Sequence, residues 1–271
     1  MNRRAFALPM VIMLVMLATL LIAVMLQRSS AQAYTVRRQR DAYLEHHASR
    51  GFQEVLNFWI PSMGRFPLLD VLEEDGHAFD LTLADRSVVS VYITDAQGTL
   101  TSSLIGMNEQ QEYLVLKPLH WLDTMYPNRM DLVRPAGPVS VSARTAPKEV
   151  LDAIEGALLD GEPTGTLAAA ILAAREDGDL TEAELTSAGS DAGFTGGQPA
   201  GDFRQLLTTQ PTMFRAIVEL RQPRYGGGME LAARYSGLMQ LPNTSQGSPR
   251  NAQATLISNS LFLSWGPMPI E

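Results

Sequence analysis

The sequence predicts an α+β protein with a long N-terminal transmembrane helix, an antiparallel sheet, and a helical block inserted into that sheet. Three observations predict it. Residues 6–26 are 21 uncharged, almost wholly apolar residues. Segments of alternating apolar and polar residues lie near 79–105 and again near 213–265. Between them, residues 145–185 carry Ala- and Leu-dense stretches with helix-start signals.

The first element is the apolar run. As a helix it would be about 32 Å long, enough to cross a hydrocarbon core of roughly 30 Å. From Gln27 to Trp59 there is no Pro and one Gly, Gly51. Leu44, Ala48, Phe52, Val55, Leu56 and Trp59 recur at spacings of three and four, so the helix is expected to continue with one apolar stripe until Pro61 closes it.

The strands come next. Phe79 to Leu83 alternates, Ser87 to Thr94 is rich in Val, Tyr and Ile, and Asp95-Ala96-Gln97-Gly98 is a turn signal after which Thr99 to Ile105 is expected to return as a hairpin strand. Glu73-Glu74-Asp75 reads as a surface turn before Gly76. Residues 107–138 are broken by Pro118, Pro127, Pro135 and Pro138, with a short helix at Leu119 to Leu122. Val139 to Ser142 reads as a short strand.

The helical block opens at Thr145-Ala146-Pro147, with Thr145 as the expected N-cap and Pro147 in the first turn. A second helix is expected over Thr166 to Glu176 and a third from Thr181. Residues 186–202, rich in Gly, Ser and Ala, read as a loop. Met213 to Leu220, Met229 to Leu241 and Ala254 to Trp265 read as the closing strands.

Charge is unevenly placed. Residues 1–40 carry six Arg and no acid, whereas the rest carries 15 basic and 29 acidic residues. An acidic body argues against nucleic acid, whose phosphates need a basic surface. The chain has no cysteine, which excludes disulfides, thiolate metal sites and a cysteine nucleophile. It has no G-x-S-x-G, no P-loop and no H-E-x-x-H.

The N-terminal run admits three readings: a signal anchor, a cleaved secretory signal ending at Ala31-Gln32-Ala33, and a prepilin-type start. Arg4-Ala5-Phe6-Ala7-Leu8 resembles the last, with cleavage between Ala5 and Phe6. Ala5 replaces the usual Gly, and Met10 stands where such chains usually carry Glu. Absence of that Glu is a habit of the K-type minor pseudopilin of type II secretion systems. Three further segments resemble that family in order: Val91 to Gly98, Val139 to Leu151 with Arg144 in place of the family's Asn, and Leu206 to Ala216.

The resemblance implies a pilin-like head with a helical, helix-hairpin-helix or SAM-like insert. It divides the chain into a leader (1–5), a transmembrane segment (6–26), an amphipathic continuation (27–60), a first part of the head (61–143), the insert (144–202) and the completing strands (203–271). It implies a non-enzymatic subunit at the pseudopilus tip that helps start assembly for protein export. The subunit would be anchored in the bacterial inner membrane by a single pass, with its head periplasmic. Counting Arg on the two flanks alone favours the opposite orientation. Its implied partners are the I- and J-type minor pseudopilins, prepilin peptidase and the inner-membrane secretion platform. Met10, Leu14, Leu17 and Leu21 would form the packing face of the assembly helix. Readings from other classes are a type IV pilus-related minor pilin, a signal-anchored or secreted binding protein, and a DNA-uptake protein using the helical insert.

Two local patterns bear on ligands. Thr-Ala-Pro-x-Glu-Val-Leu also resembles DNA-binding helix-hairpin-helix modules, but the matching hairpin, 154–162, is acidic. In 176–184, Asp177, Gly178, Leu180 and Glu184 fit positions five, six, eight and twelve of a calcium loop, while Ala173 and Arg175 at positions one and three cannot ligate as carboxylates. No cofactor is expected from the residues alone. K-type relatives can carry calcium, so the resemblance admits an irregular site drawn from Asp177, Asp179, Glu182 and Glu184. His46 and His47 read as surface or packing residues, His77 and His120 lack partners at ligand spacing, and Asn243-Thr244-Ser245 fits a glycosylation sequon.

Overall fold

The computed structural model describes residues 7–63, 65–178, 180–241 and 262–269. The chain falls into two compact units, Met1–Phe52 and Gln53–Glu271. The sequon at 243–245 and the start of the strand expected from Ala254 lie outside the described residues.

Helix α1 spans Ala7–Met63. In the first unit its residues from Val11 to Phe52 are mostly exposed. One helix in the described residues is long and apolar enough to cross a membrane, and it is this one. Pro61 does not close it. A proline removes one donor and crowds the preceding turn, and here the helix completes its last residues beyond it. The expected apolar stripe is only partly used: Leu56 is buried and Trp59 half-buried, whereas Leu44 and Val55 stay exposed. Ile60 is buried instead, and the Trp59 ring meets Phe79 at 4.5 Å.

In the second unit, α2 (Arg65–Glu74) leads into β1 (His77–Thr82) and β2 (Val88–Asp95). The central sheet is antiparallel with order β1-β2-β7-β8-β9, where β7 is Met213–Pro223, β8 Met229–Gln240 and β9 Phe262–Pro267. Strand β2 alternates as read: Val89, Val91 and Ile93 point into the core. Its register on β7 runs from Val88 opposite Arg221 to Asp95 opposite Phe214. Neighbours in the sheet are therefore far apart in sequence, and everything between them forms the inserted body. On β8, Gly237 leaves room for β9: a Cβ there would lie 2.5 Å from Trp265 and 2.6 Å from Phe262.

The hairpin is not the one expected. β2 pairs with β1 before it, and residues 99–105 do not return along it. Only Leu100–Thr101 is a strand, β3, and it pairs parallel with β4 (Val133–Arg134) in a separate two-stranded sheet. The reason is that β7 already occupies the other edge of β2.

The body between β2 and β7 is richer in helix than expected. α3 runs Glu109–Met125 with Pro118 inside it, and is opened by a capping box between Asn108 and Gln111. The strand at 139–142 shortens to β5 (Val141–Ser142). α4 is Lys148–Leu159, and its N-cap is Pro147, not Thr145. The Pro147 carbonyl accepts from Val150 and Leu151, a task that needs no N–H of its own. α5 is Thr166–Asp177 and α6 is Glu182–Asp191. The segment expected as a loop, 186–202, contains the rest of α6 and the start of α7 (Gly197–Leu206), which is followed by β6 (Leu207–Thr208) paired with β5. Tertiary contact overrides weak local propensity here. Phe203 stacks on Phe194 at 5.0 Å, and Gly189 permits its approach, since a Cβ would fall 2.6 Å from the Phe203 ring. One apolar core gathers Leu114, Leu122, Leu151, Ile154, Ile171 and Leu206, so α3 packs with the helices that follow it.

Candidate functional site

The assembly helix is the first candidate. Ala5 and Phe6 lie outside the described residues. Met10 is helical, and Leu14, Leu17 and Leu21 are 70%, 61% and 53% exposed on α1. Their spacing puts them on one face. The other faces are equally apolar: Ile12, Met13, Met16, Leu20 and Met25 are exposed too. A helix apolar all round belongs in lipid or among other helices. Its one hydroxyl at this depth is satisfied internally, since Thr19 Oγ1 donates to the carbonyls of Val15 and Met16 at 3.0 and 2.9 Å. The surface thus offers apolar contact and no polar atom that needs water.

The acidic junction is the second. Asp177 ends α5, and Asp179 lies outside the described residues. Glu184 is committed to its own helix: with Thr181 it forms a capping box, accepting from the Thr181 amide at 2.7 Å and hydroxyl at 2.8 Å. Those bonds hold its carboxyl below the usual range. Glu182 turns elsewhere and accepts from Thr209 Oγ1 at 3.1 Å. Among the described residues no group of three or more His, Asp or Glu converges as a metal site.

The opening of the helical block is the third. In a nucleic-acid module of this kind, backbone amides at the hairpin meet phosphate. Here they meet Glu155, which is fully buried. Its Oε1 accepts from Thr164 N at 2.8 Å and from Thr164 Oγ1, and its Oε2 accepts from Leu167 N at 3.1 Å. The free amides at the start of α5 are filled from inside.

Arg144 and Arg175 explain two oddities of the sequence. Arg144, standing in place of Asn, donates from Nε to the Thr209 carbonyl at 2.8 Å. Arg175, at a position where a calcium loop needs an acid, donates to the carbonyls of Ala143 and Ala146 at 2.8 Å each. Both guanidiniums line a cleft of about 410 Å³ with Asp95, Thr145 and Leu180. Arg175 serves backbone that leads into the Pro147 cap, and Arg144 ties that segment to the chain after β6. Burial pulls the Arg175 guanidinium down and pushes the Asp95 carboxyl up.

Sequence reasoning took Gln97 for a turn residue, and the structure makes it a junction. The residue is buried. Its Nε2 donates to Ser140 O and Oγ at 2.9 and 2.8 Å, and its Oε1 accepts from the amides of Thr212 and Met213 at 2.7 and 3.1 Å. A glutamine in an otherwise unremarkable Asp-Ala-Gln-Gly turn carried no signal of this.

The remaining candidates stay apart. Among the described residues, His77 is the histidine with a carboxylate partner, Asp80 at 3.1 Å. His46 and His47 contact each other, and His47 contacts Tyr43. Trp121 packs on the helical core, and Trp265 stacks on Tyr235.

No family model matches the sequence, and a search of curated proteins gives no match. Among solved structures, the chain is similar to a chain in the crystal structure of the GspK-GspI-GspJ complex from the enterotoxigenic Escherichia coli Type 2 Secretion System. The identity is 10% and the TM-score 0.35, over 86% of this chain and 99% of that chain.

Proposed function

We propose that this chain is a non-enzymatic minor pseudopilin of the K type, which helps start assembly of a type II secretion pseudopilus. One observation carries the reading. Residues 11–26 of α1 expose apolar side chains on every face, and Met10 stands where a packed prepilin helix usually has Glu. A buried carboxylate must be paired, and a subunit that caps the assembly has no neighbour above it to pair. The ordered segments 91–98, 139–151 and 206–216, which resemble the family, support the same reading. So does an antiparallel sheet whose β2–β7 pair brackets a helical body.

In this reading residues 1–5 are a leader removed by prepilin peptidase. Residues 6–26 lie in the inner membrane, with the second unit in the periplasm. Met10, Leu14, Leu17 and Leu21 pack against the helices of I- and J-type pseudopilins. Mass spectrometry of the natural product tests it. N-methylated Phe6 as the first residue is expected. Tyr34 as the first residue would mean signal-peptidase cleavage, and an intact Met1 would mean an uncut anchor; either result ends the reading.

A further inference from the structure

Helices α3, α4 and α7 enclose a pocket of about 180 Å³ that none of the preceding readings uses. Its walls are mixed: Leu114, Pro118, Ala157 and Pro199 supply apolar surface, and Tyr113, Lys117, Asp160 and Gln198 supply polar groups. Within it sits Asp202, on α7. The residue is only 6% exposed. Among the described residues nothing donates a hydrogen bond to its carboxylate, and no cation pairs with it. Its oxygens are not sealed in protein, so they open onto the pocket they line. A buried carboxylate without a partner costs the free protein stability, and it attracts whatever cation can reach it.

The surroundings select the sign and the shape of that cation. The last turn of α4 ends at this pocket, and its C-cap, Asp160, has left-handed backbone at φ 53°. The carbonyls of such a turn form the negative end of the helix dipole. The nearby Lys117 does not neutralise Asp202. Its ammonium is held by Asp160 at 2.7 Å and lies 5.3 Å from the centre of the Tyr113 ring. That pair sits at the rim, where Asp160 is 78% exposed. The first turn of α7 also borders the pocket through Gln198 and Pro199; Pro199 has no N–H to offer, and Gln198 makes no hydrogen bond to Asp202 among the described residues. With Lys117 and Asp160 cancelling, the Asp202 carboxylate is left as the unpaired charge of a small pocket. A hydrated metal ion needs several oxygen ligands, and no such group converges among the described residues. An alkyl stem ending in one positive charge fits both the walls and the carboxylate.

We infer that this pocket is a binding site for a single organic cation, the guanidinium or ammonium head of an alkyl chain, held by Asp202. The inference does not depend on the pseudopilin reading. The cation could be a free small amine or guanidine, or an Arg or Lys side chain on a polypeptide.

Methyl-labelled full-length protein in detergent provides the test. Three probes are titrated: propylguanidinium, a short alanine-rich peptide carrying one Arg, and the same peptide with neutral citrulline in place of the Arg. The Ala157 and Leu114 methyl resonances are expected to shift and saturate with the two cations and not with the citrulline peptide. Asp202→Asn is expected to weaken cation binding by about tenfold or more, the loss that goes with one charged hydrogen bond. A peptide that binds several-fold tighter than propylguanidinium identifies a polypeptide source, and equal binding a free cation; both outcomes support the site. Equal binding of the citrulline peptide, no saturable shift with either cation, or an unchanged response in Asp202→Asn would overturn it. Should the variant not fold, the citrulline comparison on the unaltered protein decides.

Discussion

Arg134 Nη1 donates to the backbone oxygen of Gln97 at 3.0 Å. The same guanidinium also donates to the carbonyls of Thr99, Pro138 and Ser140. Both residues are buried, and Gln97 in turn holds the first amides of β7. Burial pulls the Arg134 guanidinium down to about 10, which leaves it charged at neutral pH. Two side chains therefore join the end of β2, the strand β5 and the start of β7 into one polar knot.

Breaking that knot is expected to be expensive. Gln97→Ala strands the Thr212 and Met213 amides without a side-chain acceptor, and a buried group left unsatisfied costs roughly 1–3 kcal/mol. A total loss of about 3 kcal/mol is expected in denaturant unfolding followed by tryptophan fluorescence. A loss of less than about 0.5 kcal/mol, the size of an ordinary surface change, would show that the junction contributes nothing.

The Glu155 carboxylate is the second lever. Glu155→Ala leaves the Thr164 and Leu167 amides unpaired at the start of α5. About 3 kcal/mol of destabilisation is expected from lost charge-assisted bonds. Glu155→Gln keeps an acceptor oxygen and should lose clearly less. The same unfolding measurement ranks the two, and an equal loss in both would contradict the capping role.

Asp95 supplies the pH prediction. Burial raises its carboxyl above the ordinary value of 3.8, outweighing the hydrogen bond from the Gln97 amide and the nearby Arg134 charge. A folded-state pKa above the unfolded one means that the folded protein binds the proton more tightly. This group's contribution therefore falls as pH rises from the unfolded value through the folded one, and is least favourable at neutral pH. Asp95→Asn, which keeps an acceptor for Gln97, should raise stability at pH 7 relative to the parent. The advantage should shrink as pH falls toward 3.8. Melting curves of both proteins at several pH values check this; a gap that widens in acid would reverse the assignment.

Much of the architecture was legible in the residues. The apolar run of α1 and the alternation of β2 and β7 announce their elements, because both signals are periodic and local. The helices at 166–177 and from Thr181 were equally plain, the second through its Thr-x-x-Glu capping box. What was misread shares one cause. The return strand at 99–105, the loop at 186–202 and the Thr145 cap rest on local propensity alone, and packing or a neighbouring residue decided each. β7 took the place beside β2, Phe194 and Phe203 drew Gly- and Ser-rich chain into helices, and Pro147 took the cap.

The sequence by itself determined the class of this protein: one apolar helix of spanning length, an acidic body without cysteine, and a helical block set between strands. Those properties follow from composition and from repeats of two and 3.6 residues, which neighbours along the chain carry. Only the tertiary structure decided what the polar residues do. Gln97 meets Met213 across 116 positions, and Asp202 faces a pocket walled by helices α3 and α4. A hydrogen bond or a chamber depends on where the folded chain returns, and no local pattern encodes that return.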